Sequence, residues 1–175
     1  MGFALQLVFS AVVTGGQVIA MQMGLGFASM VDPQNGQQVP VLGQLYLLLA
    51  TLIFLTLNGH LILIEVLAKS FNTFPIAISS FGSDGLWLIV SWGSQMFEGA
   101  VWMALPAISS LLIVNIAFGV MARAAPQLNI FAIGFPVTMM MGFMVILFVM
   151  PMFLPQFTKL LESVFMLIGS LVIRV

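Results

Sequence analysis

The sequence predicts an all-α integral membrane protein built from helical hairpins. Of its 175 residues, 62% are hydrophobic and 5% are charged, whereas soluble domains carry about 25% charged residues. Apolar stretches recur between breaks that are rich in proline and glycine, and several reach the ~20 residues that a ~30 Å hydrocarbon core requires. No stretch alternates apolar and polar residues with a period of two, so helices rather than strands are expected.

Proline, glycine and the few charged residues divide the chain into five predicted helical segments: about 2–31, 41–71, 86–121, 130–153 and 154–175. The third segment is too long for one straight span at ~1.5 Å per residue, so we expect a kink or a break near Pro106. Pro151 and Pro155 are expected to separate the last two segments. The four basic residues fall one to each successive break, so the orientation in the membrane cannot be read from them.

The composition excludes several classes of function. There is no cysteine and only one histidine, and the net charge is −1. These counts leave no disulfide, no thiolate metal site and no basic patch for nucleic acid. Nucleotide-binding, metalloprotease and nucleophile-elbow motifs are also missing from the sequence. We therefore expect no catalytic residues, no metal, no cofactor and no enzymatic activity.

Small residues recur every four positions along the first segment, at Gly16, Ala20, Gly24 and Ala28. Such a ladder lets another helix backbone approach closely. A polar stripe runs beside it, formed by Gln6, Ser10, Thr14 and Gln17. Either the ladder packs inside one membrane bundle, or this face meets partner subunits or an aqueous lumen.

The first segment is expected to loosen at Gly24 and Gly26 and then to break. The residues that follow are apolar or turn-forming, namely Phe27, Met30, Val31, Asp32 and Pro33. Irregular backbone at membrane depth must be covered by protein or line a cavity. An apolar, deformable loop of this kind suits a constriction.

Two isolated polar residues are candidates for function. His60 follows Asn58 and Gly59 in an apolar stretch, and a lone histidine is more typical of a packed core or interface than of a metal site. Glu98 has no charged neighbour within a helical turn. Inside a span it would cost several kcal/mol unless it were paired or hydrated, so it is a possible functional carboxylate. The alternative is an ordinary position in an interfacial loop.

Four stretches resemble the FliR family, the R component of the flagellar type III secretion export gate: QMGLGFASMVDP (22–33), IFLTLNGH (53–60), SFNTFPI (70–76) and ARAAPQLNIFAIGFP (122–136). The signature residues within them are Asn58, Gly59, His60, Pro126, Gln127, Leu128, Asn129 and Phe131. The resemblance runs from Gly2 onward. Members of that family carry further apolar helices before this point, and the chain opens without a helix cap, so we expect that a preceding segment is missing.

The resemblance implies a subunit of a conical channel through which unfolded flagellar subunits cross the bacterial inner membrane at the flagellar basal body. It implies that residues 1–129 are similar to the P component and that residues 130–175 form a hairpin similar to the Q component. The loop 27–36 is similar to a plug that keeps the channel closed. The implied partners are the P and Q components, the B-type switch component, the exported substrates and membrane lipid.

Three alternatives remain open at this stage. The chain could be the homologous export-gate subunit of a virulence injectisome, which neighbouring genes would reveal. It could be an intramembrane enzyme that uses Glu98 or His60, although neither has a second catalytic group at helical spacing. A small-molecule transporter is a third possibility, and it would show internal repeats with interrupted spans in matching positions.

Overall fold

A computed structural model describes residues 1–26, 41–73, 83–125 and 130–173 of the chain. These ranges form five helices, which we number in chain order: α1 (Gly2–Gln22), α2 (Val41–Thr56), α3 (Gly59–Thr73), α4 (Ser83–Ala124) and α5 (Ile130–Ile173). No strand occurs in the described ranges. The predicted all-α fold class is therefore confirmed.

Helix α1 lies at the centre of the helix packing. It contacts α4 and α2 extensively and α5 to a smaller extent. Its buried positions recur at helical spacing over about four turns, at Ala4, Leu5, Val8, Ala11, Val12, Gly15, Gly16 and Ile19. Half of these residues are alanine or glycine, so neighbouring helices can approach α1 closely.

Aromatic rings connect α1, α2 and α5 in the core. Phe9 meets Phe54 edge-on with ring centroids 5.7 Å apart, and Phe157 lies 6.1 Å from Phe9. Phe157 also stacks on Phe153 at 5.8 Å, and Phe153 in turn meets Tyr46 at 5.2 Å. Rings at these separations attract one another beyond the burial of their area, so the cluster fixes the register of three helices.

The second predicted segment is two helices rather than one. The chain bends by 64° between α2 and α3, at Leu57 and Asn58. Asn58 has a positive φ of 56°, a left-handed conformation that asparagine tolerates better than most residues. The single segment over 41–71 is thus wrong, because a left-handed residue cannot continue a right-handed helix.

The predicted interruptions at prolines are also wrong in part. α4 runs through Pro106 over 42 residues without a break, and the hydroxyl groups of Ser109 and Ser110 donate to the carbonyl oxygens of Leu105 and Pro106. Likewise α5 runs over 44 residues through three prolines, at 136, 151 and 155. A proline removes one helical hydrogen bond and crowds the preceding turn, but packing against neighbours can hold the helix together.

The predicted segments 130–153 and 154–175 form one continuous helix in the described residues, so no hairpin lies within 130–173. Helix α5 packs instead against α4. A Cβ atom on Gly99 of α4 would meet the side chain of Leu160 of α5, and residues 95–103 and 156–163 line one cleft, so these parts of the two helices lie side by side. The likeness of residues 1–129 to a P component and of 130–175 to a Q component stays a prediction.

Three of the helices are long and apolar enough to cross a membrane, and a fourth span results if the bent α2–α3 pair counts as one. Large apolar side chains lie exposed on every helix, among them Met21, Leu48, Ile64, Ile113 and Phe148. Exposed apolar patches of this extent are rare on soluble monomers, and they are the kind of surface that lipid or further protein covers.

Candidate functional site

Two consecutive glycines bring α1 against both of its main neighbours. A Cβ atom placed on Gly16 would lie 2.8 Å from the Cα atom of Gly43 in α2. A Cβ atom on Gly15 would lie 3.1 Å from the carbonyl oxygen of Ala100 in α4. Since these neighbours are backbone atoms, they cannot rotate away. Sequence reasoning found Gly16 but missed Gly15 and Gly43, because a spacing of four selects one helix face only.

The other members of the small-residue ladder have different positions. Ala20 is half-buried and packs against the core, whereas Gly24 lies beyond the end of α1 and Ala28 lies outside the described residues. Beside the ladder, Gln6 is exposed and the other three residues of the polar stripe are half-buried. The stripe is therefore only partly covered by the helices that the structure describes.

Helix α1 ends at Gln22, and a Schellman motif with Met23 as the C-cap and Gly24 as the next residue closes it. Gly24 has a φ of 83°, and its N–H donates to the carbonyl oxygen of Met21 at 3.0 Å. The N–H of Leu25 donates to the carbonyl oxygen of Ala20 at 3.0 Å. This pairing, with glycine in the left-handed conformation, is a common helix stop. The predicted first segment over 2–31 is thus too long, since α1 already ends at Gln22. A hinge role for Gly24 and the exposed Gly26 stays a prediction.

The predicted gate residues come directly after this helix end. Phe27, Met30, Val31, Asp32 and Pro33 all lie outside the described residues. The structure describes the residues just before that segment, 23–26, which we call its root.

The root is anchored on α5 through Met23 and Gly142. Met23 is fully buried. A Cβ atom on Gly142 would lie 2.5 Å from its Cγ atom and 2.6 Å from its Cε atom, so the thioether occupies the space that any larger residue would need. Sequence reasoning missed this pair, because nothing in the sequence links two positions so far apart in the chain.

The NGH signature forms the corner between α2 and α3. The carbonyl oxygen of Asn58 accepts hydrogen bonds from the N–H groups of Leu61 and Ile62, at 2.9 and 3.1 Å, as the residue before a helix does. Gly59 is buried, and the ring of Phe54 fills the place of its missing side chain. The signature therefore has a local structural reason: one residue turns the chain and the next admits an aromatic ring.

His60 is half-buried at the start of α3. Its Nδ1 atom is buried and has no hydrogen-bond partner in the described part of the chain. Among the described residues there is also no cluster of three histidine or acidic side chains that could hold a metal ion. Of the other signature residues, 126–129 lie outside the described residues, and Phe131 belongs to α5 without a described side chain.

Glu98 lines a cleft between α4 and α5, which we call the polar cleft. Its volume is about 330 Å³, and its lining residues are Gln95, Glu98, Gly99, Trp102, Met103, Gln156, Lys159, Leu160 and Ser163. The indole Nε1–H of Trp102 donates a long hydrogen bond of 3.4 Å to Oε1 of Glu98. Lys159 lies on the opposite wall, yet the only ion pair within 4.0 Å among the described side chains joins Lys69 to Glu65.

Sequence reasoning found Glu98 but not its surroundings. The residues that face it come from α5, about sixty positions further along the chain. The sequence analysis predicted two separate helices there, over 130–153 and 154–175. The structure instead presents one long helix whose residues 156, 159 and 163 share a face at helical spacing. Glu98 therefore belongs to a polar surface on two helices rather than to an isolated position.

Comparison with known proteins gives consistent matches. The family described as Bacterial export proteins, family 1, matches residues 1–164. The chain is 41% identical over 172 residues to the flagellar biosynthetic protein FliR of Escherichia coli, covering 98% of this chain and 66% of that protein. The protein of the same name from Pectobacterium carotovorum is 38% identical over 171 residues, with the same coverage. The Bacillus subtilis protein of that name is 33% identical over 150 residues, covering 84% of this chain and 58% of its own length. The chain thus spans about two thirds, or less, of these relatives.

Proposed function

Because the chain belongs to the family of bacterial export proteins, family 1, we propose that it is the R-type subunit of the flagellar type III export gate. The observation that carries the proposal is the match over residues 1–164 together with 41% identity to a flagellar biosynthetic protein. In this function the subunit forms part of the channel through which unfolded flagellar subunits cross the inner membrane at the basal body.

The surface of the helices supports a role inside an assembly. Large apolar side chains are exposed on all five helices, including Trp87 and Trp102 of α4 and Phe148 of α5. Between them lie a half-covered polar stripe on α1 and the polar cleft. In a lipid-facing helix such polar groups are costly, so they favour contact with other subunits or with an aqueous channel. The proposed neighbours are the P and Q components and the B-type switch component.

The segment after Gly24 is proposed to be the plug. Its residues Phe27, Met30 and Val31 supply an apolar seal, which blocks ions because a dry constriction is costly to wet. A passing polypeptide can displace such a seal without breaking strong bonds. The Schellman motif at Gly24 and the anchoring of Met23 on Gly142 support this proposal, since a seal needs a fixed root.

The export gate has no catalytic role in this proposal. The sequence contains no nucleotide-binding motif, so the energy for transport comes from other components. No cofactor is required. The flagellar system is favoured over a virulence injectisome because the relatives that match carry the name of a flagellar biosynthetic protein.

The proposal is tested by genetics and biochemistry on the full-length protein. Cells that lack the gene should lose motility and should retain unexported flagellar subunits inside the cell, and the full-length gene should restore both. The tagged full-length protein, co-expressed with P and Q components, should co-purify with them in one complex that imaging resolves as a closed channel. Normal motility of the deletion strain would refute the proposal.

A further inference from the structure

Two prolines weaken one face of α5 in the middle of the helix. Pro151 and Pro155 have no N–H group, so the helical hydrogen bonds to the carbonyl oxygens of Leu147 and Pro151 cannot form. Residues four apart lie on the same helix face, and this face is exposed, with Leu147 74% exposed. Two successive bonds are therefore missing on one side of an otherwise continuous helix, which is where helices bend.

The side chains nearby do not replace the missing bonds. Residues 139–155 contain no side chain with an N–H or O–H group. The hydroxyl group of Thr158 donates to the carbonyl oxygen of Leu154 at 2.9 Å, a type of bond that itself tends to bend a helix. The segment 147–155 is therefore easier to bend than an ordinary stretch of helix.

The two halves of α5 are held unequally on either side of this segment. The C-terminal half buries Phe153, Phe157, Leu160, Leu161, Val164, Leu167 and Ile168. In the described part of the N-terminal half, which we call the arm (residues 130–146), the buried residues are Gly134, Gly142 and Ile146. Segments with few buried apolar contacts move more easily than densely packed ones. The C-terminal half is thus the fixed part of the helix, and the arm is the part that can move.

The arm carries the contact with the root. Gly142 lies about 14 Å before Pro151 along the helix axis, at ~1.5 Å per residue, so a change of about 10° in the bend at Pro151 displaces Gly142 by roughly 2 Å. The Cγ atom of Met23 lies 2.5 Å from the place of a Cβ atom on Gly142, so a shift of that size removes the contact. On the other side of the bend, Phe157 lies 6.1 Å from Phe9 of α1. Helix α1 therefore touches both halves of α5, and bending changes only the contact at its end.

We propose that residues 147–155 of α5 form a hinge, and that a change in its bend withdraws Gly142 from Met23 and frees the root of the plug. This inference rests on the proposed function, because that function supplies the plug. It assigns the opening movement to one helix, and it assigns the hold on the closed state to one contact.

Replacing the two prolines with alanine tests the hinge. Pro151→Ala, Pro155→Ala and the double variant, made in the full-length protein, restore the missing N–H groups and stiffen the helix. We expect the double variant to assemble with the P and Q components as the parent does. Its export of flagellar subunits should fall by about tenfold, since two restored backbone hydrogen bonds together oppose the bend. Each single variant should lie between the parent and the double variant.

Pro136→Ala is the matched control for these variants. Pro136 is also an exposed proline within α5, but Gly142 lies between it and the hinge. A bend at Pro136 therefore leaves Gly142 in place, and its replacement should keep export at the parent level. An equal loss of export with Pro136→Ala would overturn the proposal, and so would parent-level export by the double variant.

A reversible crosslink tests the movement itself. The chain has no cysteine, so Met23→Cys combined with Gly142→Cys places two thiols at positions that are in contact. In everted membrane vesicles, oxidation of this pair should stop export and a reductant should restore it, which misfolding cannot explain. Met23→Cys combined with Gly169→Cys is the control, since a Cβ atom on Gly169 would meet nothing within 4 Å, and its export should not respond to oxidation. Undiminished export by the oxidised pair at 23 and 142 would overturn the proposal, because the root would then not need to leave α5.

The proposed function can fail separately from this inference. If the parent protein neither co-purifies with P and Q components nor supports export, the gate function itself is wrong and the hinge has no plug to release. If the parent exports and the proline variants and the oxidised pair export equally well, only the hinge is wrong. Should one set of variants fail to assemble, the other set decides.

Discussion

Gly16 of α1 and Gly43 of α2 touch through their backbones, so that a Cβ atom on Gly16 would lie 2.8 Å from the Cα atom of Gly43 and 3.1 Å from the carbonyl oxygen of Leu42. A real Cβ atom essentially never lies as close to another atom as the first of these two distances. The neighbouring Gly15 makes the equivalent approach to Ala100 of α4. Because Gly15 and Gly16 are adjacent, α1 contacts α2 and α4 at the same level along its axis. A methyl group on Gly16 would require the backbones of α1 and α2 to move apart.

We expect Gly16→Ala to destabilise the helix packing by about 1–3 kcal/mol, as for overpacking of a filled core. The thermal unfolding midpoint of the full-length protein in detergent should fall, and larger residues at this position should prevent assembly with other subunits. Gly119→Ala is the control, because a Cβ atom on Gly119 in α4 would meet nothing within 4 Å. That change should be neutral or stabilising, since alanine favours a helix over glycine. Equal destabilisation by both variants would contradict the close-packing interpretation.

The contact of Met23 with Gly142 predicts a compensating pair of substitutions. Gly142→Ala should crowd the buried thioether and lower stability, and Met23→Ala should lower it by leaving a cavity. Together they should lower it by less than the sum, with a coupling of about 0.5–3 kcal/mol. The double-mutant cycle is measured by unfolding in detergent.

Gly169→Ala supplies the reference for this cycle, since it lies on the same helix and its Cβ atom would meet nothing within 4 Å. Combined with Met23→Ala, it should show simple additivity. Additivity of Met23→Ala with Gly142→Ala as well would show that the two residues do not share one space.

The general architecture could be predicted from the sequence, because composition and the lengths of apolar stretches are enough to indicate membrane-type helices. A loosening of the helix at Gly24 could also be predicted, but not that the helix ends there, although glycine is the usual residue at that position of a Schellman motif. Prolines were misleading. Pro106 and Pro151 lie within continuous helices, because packing on neighbouring helices offsets the loss of one backbone hydrogen bond per proline.

The candidate site was predictable only where its chemistry is local. Glu98 could be found from its isolation in an apolar stretch, but Lys159 and Gln156 could not be placed opposite it. Their juxtaposition depends on how α4 and α5 pack against each other, which no local pattern encodes. The same reason hides the pair formed by Met23 and Gly142.

The left-handed conformation of Asn58, at the corner between α2 and α3, predicts which substitutions this position tolerates. Because its φ is 56°, Asn58→Gly should leave stability unchanged within a few tenths of a kcal/mol or raise it, whereas Asn58→Val should lower it by about 1–2 kcal/mol. The two variants are compared by thermal unfolding of the full-length protein. If valine were tolerated as well as glycine, the left-handed conformation would not be required at this corner.

The proposed plug predicts an ion leak. Deleting residues 27–33, which include Phe27, Met30 and Val31, should leave the channel permeable, because no apolar constriction then resists wetting. Cells that express the deletion variant should show raised membrane conductance and poor growth in high salt. Replacing the three glutamines at 34, 37 and 38 with alanine is the control, since it alters the same loop without removing its apolar residues. If the deletion leaves conductance and salt tolerance at the parent level, the seal lies elsewhere in the complex. If the alanine control leaks as much as the deletion, the leak reflects a general disturbance of the loop rather than the loss of its apolar side chains.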